Sequence, residues 1–178
     1  MIQTQKKVQI EIEVLSKLNN QDLADLCNIT EEAIKAGGGF GWLKPPPRLV
    51  LKNYWKGVVL VPRRKLVVGR HNGAIAGTLQ VAFQPPNNEA QQNIFNIISH
   101  FVVPWARGFG LAKRMIDKAE NIGKENGANI AYLDVRETQE AAIKLFQSKG
   151  YEKWATNNYY ACVDGKNIKG YYFFKKLK

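Results

Sequence analysis

Cysteine and histidine are nearly missing from this chain, two of each in 178 residues, and the shortage closes several routes at once. Cys27 and Cys162 stand far apart with no metal or redox spacing, so both read as reduced thiols and a disulfide framework is excluded. His71 and His100 are too few for a structural zinc site, and no metal is expected. No apolar run reaches the length of a membrane span, and the polar residues 1–7 lack the apolar region of a signal peptide. The expectation is a cytoplasmic protein without membrane contact. Acidic side chains are also short, 15 against 26 Lys and Arg, which leaves a net charge of +11. That excess favours anionic partners, but the basic residues are scattered, with Arg63-Arg64-Lys65 and Lys175-Lys176 the only tight groups. A solvated basic surface accounts for them, and nucleic acid is not the expected partner. With 45% hydrophobic and 23% charged residues, and no repeat, linker or low-complexity stretch, residues 1–178 read as one globular domain.

What is present is concentrated in residues 94–127. An apolar strand over residues 94–103 runs into Pro104-Trp105-Ala106-Arg107-Gly108-Phe109-Gly110-Leu111-Ala112, and an amphipathic helix follows. A loop that wraps its N–H groups around a phosphate must approach closely and take up φ > 0, which glycine permits. The helix aims its unsatisfied first-turn N–H groups at the same spot, so an anion there is favoured twice. Leu111, Met115, Ala119 and Ile122 share the buried face of this helix and Gly127 stops it, while Lys113, Arg114, Asp117, Glu120 and Lys124 lie elsewhere. The spacing is not that of a nucleoside-triphosphate P-loop. A dinucleotide fingerprint fails as well: Lys113 replaces its third glycine, Pro104 lengthens the connection, and too little chain follows Asp134 for a doubly wound sheet.

Along the rest of the chain, Val8, Ile10, Ile12 and Val14 alternate with polar residues as a half-buried strand. Asn20 caps a helix carrying Leu23, Leu26, Cys27 and Ile34, which the run Gly37-Gly38-Gly39 either ends or extends as a ligand-facing loop. Pro45-Pro46-Pro47 delays the next, short helix to Arg48. Two strands, residues 65–69 and 74–83, join around His71-Asn72-Gly73, a hairpin signal that leaves His71 in an exposed turn with nothing chemical beside it. Residues 130–135 form a strand with Tyr132, Asp134 and Arg136 on one face, Thr138 caps a helix closed by Gly150, and the aromatic tail folds as a hairpin around Asp164-Gly165.

Arg107-Gly108-Phe109-Gly110-Leu111-Ala112 resembles the R/Q-x-x-G-x-G/A pyrophosphate loop of the GNAT superfamily of acetyl-CoA-dependent N-acetyltransferases. Residues 133–146 followed by Lys149-Gly150-Tyr151 are similar to the second signature of that family, in the right order and separation. Gly38-Gly39-Phe40-Gly41-Trp42, Pro86-Asn87-Asn88, Val102-Val103-Pro104 and Tyr172-Phe173-Phe174-Lys175 look like the tabtoxin-resistance branch. The resemblance implies an α+β fold: a twisted, mixed, mostly antiparallel sheet of about seven strands flanked by about four helices. It also implies acetyl-CoA as cosubstrate, with Phe101, Val102, Val103, residues 107–113 (Arg107, Gly108, Phe109, Gly110, Leu111, Ala112, Lys113), Gln139 and Phe146 around it. Gln139 stands where an Asn often touches pantetheine, and Phe146 where many relatives carry a tyrosine acid, so both depart from the pattern. Phe40, Trp42, Tyr54 and Trp55 are candidates for the acceptor wall, as is Asn96, which replaces a glutamate of the tabtoxin-resistance proteins.

Acetyl transfer to an amine needs a base, an oxyanion donor and a proton for the departing thiolate. His100, whose ordinary pKa suits a base near neutrality, shares a face with Asn96, Ile98 and Val102 if the strand stays regular. Ser99 and His100, as adjacent strand residues, point to opposite faces and form no dyad. Asp134 lies where relatives carry an acidic residue implicated as base, and either Tyr159, Tyr160 or water replaces the missing acid or the thiolate leaves unassisted. The expected acceptor is a small-molecule amine. A protein amine is the alternative, since Asn158-Tyr159-Tyr160 resembles a segment of ribosomal-protein N-terminal acetyltransferases, and a non-catalytic binding module is a third. The chain is expected as a monomer or homodimer.

Overall fold

A computed structural model describes residues 8–38 and 40–178; residues 1–7 and Gly39 of the glycine run lie outside the described residues. Seven strands form one sheet: β1 Ile10–Leu15, β2 Arg64–His71, β3 Ala74–Phe83, β4 Ile94–Val102, β5 Ile130–Arg136, β6 Glu152–Val163 and β7 Lys166–Lys176, in the order β1-β2-β3-β4-β5-β7-β6. Every neighbouring pair is antiparallel except β4 with β5. The helices are α1 Asn20–Lys35, α2 Arg48–Leu60, α3 Leu111–Glu125 and α4 Glu140–Ser148. Among the described residues no helix is long and apolar enough to cross a membrane.

The sheet buries both faces. On one, Met115, Ile116, Ala119 and Ile122 of α3 and Phe146 of α4 close over Val67, Leu79, Val81, Phe95, Ile97, Leu133 and Phe173. On the other, Leu26, Ile29 and Ile34 of α1 and Leu51, Trp55 and Val58 of α2 cover Leu66, Val68, Ile75 and Ala76. Period-two alternation along β2 and β3 therefore feeds two cores rather than one core and solvent, so these strands read as nearly continuous apolar runs. Gly123 of α3 lets the Phe95 ring in: a Cβ there would stand 2.3 Å from it.

Both hairpins turn on two residues of positive φ, Asn72-Gly73 (50° and 87°) and Asp164-Gly165 (49° and 76°), the geometry that matches strand twist. Four local expectations are corrected. The cap of α1 is Asn19, whose side chain accepts from Asp22 N at 2.8 Å, because it is the residue that holds extended backbone immediately before the helix. α4 starts after Gln139 with no side-chain cap, so Thr138 does not cap it. The helix expected to be short, α2, runs 13 residues, to Leu60. Glu120 is buried and takes both oxygens to Lys175 Nζ at 2.8 and 2.9 Å, an ion pair between α3 and β7 invisible to helical periodicity.

Candidate active site

The site originates in a sheet defect. β4 and β5 hold register through only three pairs, Ile94 with Ile130, Phe95 with Ala131 and Asn96 with Tyr132, and then part. A cavity of about 840 Å³ fills the gap, lined by Ile97, Ile98, Ser99 and His100 from one strand and Leu133, Asp134, Val135 and Arg136 from the other. Its lining reaches Ala142 and Phe146 of α4 on one face of the sheet and Phe40, Trp42, Leu43 and Tyr54 on the other, so it is a passage through the sheet.

A bulge shapes its edge. The β3–β4 register slips between Thr78, opposite Phe101, and Gln80, opposite Ile98, and Ser99 takes φ +50°. The buried Thr78 hydroxyl donates to Ser99 O at 3.0 Å and pins the slip. The extra residue corrects one expectation. His100 turns to the side of Phe95 and Ile97 and packs 5.7 Å from the Phe146 ring, so it does not share a face with Asn96 and Ile98. Ser99 and His100 both line the cavity, which opens on both faces of the sheet, and no hydrogen bond joins them as a dyad. Asn96, at the last paired position, is not among the lining residues.

After the bulge, Val103 N donates to Ala76 O at 2.9 Å, which by alternation sends the Val102 N–H to the opposite edge, where β5 has already left. Phe101 packs 5.2 Å from Phe40, and Val103 is fully buried. A 3-10 turn at Pro104–Ala106 leads into Arg107, whose Nε donates to Val102 O at 3.2 Å. Gly108 and Gly110 take φ of +86° and +78°, with nothing within 4 Å of where a Cβ would stand. Gly110 precedes α3 as its N-cap residue with no side-chain cap, so no cap side chain satisfies the first-turn N–H groups. Leu111 is buried, whereas Gly108, Phe109 and Lys113 are exposed and Ala112 is half-buried. His71 is not an isolated turn residue: its ring sits edge-on to Phe109 at 4.8 Å and Trp105 at 5.7 Å, because the β2–β3 hairpin folds against this loop.

On the α1/α2 side, Asp134 is exposed and accepts a hydrogen bond from the Tyr160 hydroxyl. Burial, then the Asp134 carboxylate, push the Tyr160 phenol well above its ordinary range, with Arg136 opposing, so the hydroxyl keeps its proton. Tyr159 is 78% exposed and absent from the lining, because a register shift in β6 between Asn157 and Ala161 turns it outward. Tyr54 meets Phe40 and Trp42 edge-on at 5.9 and 5.3 Å, Phe40 and Trp42 lie tilted at 5.7 Å, and the three form an aromatic wall. Trp55 is core, fully buried with its indole N–H on Thr30 Oγ1 at 2.9 Å. Gln139 lines the cavity but donates to Gly37 O at 2.8 Å, tying α4 to the end of α1. Arg136 does the same for the following segment by donating to Phe40 O. Cys162 lines the cavity as a free thiol. Arg136 and the buried Gln80 carry no role in the sequence reading; the only signal was a lone amide inside an apolar strand.

His100 changes character on burial. Its Nε2 is sealed and unpartnered, and desolvation pulls the imidazole down to about 4, against a smaller opposite pull from the Ala112 backbone. It is therefore neutral at working pH and a weak base. In the unfolded chain the ring takes up a proton near 6.5 while the folded ring does not until about 4. Stability is therefore complete above 6.5 and declines as pH falls toward 4, by about 3 kcal/mol in all. Urea midpoints between pH 7 and 4.5 should show this slope, and His100→Asn should flatten it; an equal slope in both proteins would refute the account.

Residues 23–151 match the acetyltransferase (GNAT) family model. The chain is 46% identical over 130 residues to an uncharacterised N-acetyltransferase of the hisH–hisA intergenic region of Azospirillum brasilense, covering 73% of this chain and 77% of that one. The fold is similar to an N-acetyltransferase from Staphylococcus aureus Mu50 (TM-score 0.80, 20% identity, 96% of this chain and 99% of that chain). It is also similar to yncA from Salmonella typhimurium, solved with its cofactor acetyl-CoA (TM-score 0.76, 15% identity, 95% and 94%). A seven-stranded sheet parted between its two parallel strands, a glycine loop opening the next helix, and these matches lead to one conclusion: the chain belongs to the GNAT family of acetyl-CoA-dependent acetyltransferases.

Proposed function

We propose that this chain works as one domain that transfers an acetyl group from acetyl-CoA, by direct attack, to a primary amine of a small molecule. The observation that carries the reading is the passage through the sheet, with an open glycine loop beside its α3/α4 side and an exposed carboxylate–phenol pair with an aromatic wall on the other. The residues fit the cosubstrate: a Cβ-free, positive-φ loop and an uncapped helix start are what a pyrophosphate requires. Bound acetyl-CoA would supply an activated acetyl thioester.

In this reading Arg107 and the N–H groups of residues 108–113 hold the pyrophosphate, and the Val102 N–H donates to the oxygen that gains charge during attack. Asp134, with one oxygen occupied by Tyr160, takes the proton from the incoming ammonium through its free oxygen. Tyr160, kept protonated, supplies the proton for the departing thiolate that Phe146 cannot. His100 and Phe146 pack the inner wall and exclude water. The acceptor enters over Phe40, Trp42 and Tyr54.

Calorimetric titration with acetyl-CoA beside free CoA, followed by thiol release on a panel of primary amines and peptides, tests this. Micromolar binding with turnover of small amines is the expected result. Turnover of peptide N-termini alone would move the acceptor class to proteins, and no binding of either cofactor form would overturn the proposal.

A further inference from the structure

Gln80 is the polar residue that the rest of β3 does not explain. It sits mid-strand, fully buried, opposite Leu66 and facing α2, where an amide without partners would be costly. It has two partners. Its Oε1 accepts from Arg64 Nη1 at 3.3 Å, and its Nε2 donates to the Tyr54 hydroxyl oxygen at 3.0 Å.

The chemistry of the chain fixes the direction of both bonds. A guanidinium has only donors, so it demands the oxygen end of the amide and leaves the NH2 end for Tyr54. With its oxygen accepting from Gln80, Tyr54 must send its own hydrogen elsewhere. No described residue accepts it, and Tyr54 lines the cavity. The wall therefore presents a donor at Tyr54, on the same side of the sheet as the acceptor at Asp134.

We propose that Tyr54 is a specificity-determining residue, its hydroxyl hydrogen aimed into the cavity by Arg64 and Gln80, and that it selects amines that also carry a carbonyl or carboxylate oxygen. The inference rests on the acetyltransferase reading of the same cavity and adds a second requirement on the acceptor. Arg64 and Gln80 are positioning residues: their side chains hydrogen-bond to each other and, through Gln80, to Tyr54, and neither lines the cavity.

The test compares kcat/KM for three matched acceptors on each of several side-chain scaffolds: the amino acid, its amide, and the decarboxylated amine. Wild type should favour the oxygen-bearing members by about tenfold or more, the worth of one well-placed donor. Amide equal to acid would mean recognition of a carbonyl oxygen, and acid far above amide would mean a carboxylate. Tyr54→Phe should bring the ratio close to one, mainly through KM. Gln80→Glu is the sharper variant: a carboxylate at position 80 accepts from Arg64 and from Tyr54, turning the hydrogen inward, and should abolish the preference with the phenol still in place. Thermal melts check that each variant folds. Acetylation by wild type with no preference, or a preference that survives both substitutions within about twofold, overturns this inference alone. Acetyl-CoA binding without transfer to any amine would overturn the acetyltransferase reading, and this one with it.

Discussion

Asp134→Asn should lower kcat/KM for any accepted amine by about 10²–10⁴-fold while leaving acetyl-CoA affinity in place, because it removes a proton acceptor and keeps its shape. The asparagine carbonyl can still take the hydrogen bond from Tyr160, so the β5–β6 contact persists and the loss is chemical rather than structural. Tyr160→Phe should cost less, since a thiol is already partly ionised near pH 8 and its departure tolerates a missing acid. Because the two groups share one hydrogen bond, the double variant should fall short of the product of the single losses. Steady-state kinetics on the four proteins reads all of this. Activity in Asp134→Asn within a few fold of wild type would remove the carboxylate from the mechanism, and His100 would not inherit the role, being neutral and weakly basic where it sits.

The second large effect belongs to the loop. Gly110→Val should weaken acetyl-CoA binding about 100-fold or more, the loss of roughly two charge-assisted hydrogen bonds to a phosphate group. Valine at φ +78° is strained and places its branches in the space the ligand needs. Strain alone also lowers stability, so a matched control is required. Gly127, at the far end of α3, has φ +79° and equally open surroundings, so Gly127→Val carries a similar backbone penalty away from the loop. The control should lose stability to a similar extent and bind acetyl-CoA as wild type does. Calorimetry showing equal affinities for all three proteins would separate the cosubstrate from this loop.

The two predictions differ in how early their residues became visible. Gly108, Gly110 and the apolar stripe of α3 announce themselves within residues 108–122, because helix periodicity, φ > 0 and the dipole of a helix start are local properties. Asn72-Gly73 and Asp164-Gly165 fixed their hairpins for the same reason. Asp134 was visible only through family likeness, and its bond to Tyr160 depends on β6 reaching β5 by way of β7. His100 misled: its pKa in water recommends it as a base, and only the packing of Phe146 and the sealed Nε2 reveal that the charged form is disfavoured.

The sequence by itself determined the elements, the family, the open glycine loop and three of the aromatic side chains that line the cavity, Phe40, Trp42 and Tyr54. The tertiary structure alone decided where β4 bulges and leaves β5, which side of the sheet each wall residue faces, and that Gln80 gives Tyr54 its direction. The reason is physical. Propensity and periodicity act within a turn or a strand, whereas a bulge is held by a hydroxyl on the neighbouring strand, Thr78 to Ser99, and a donor's direction by a partner 26 residues away, Gln80 to Tyr54.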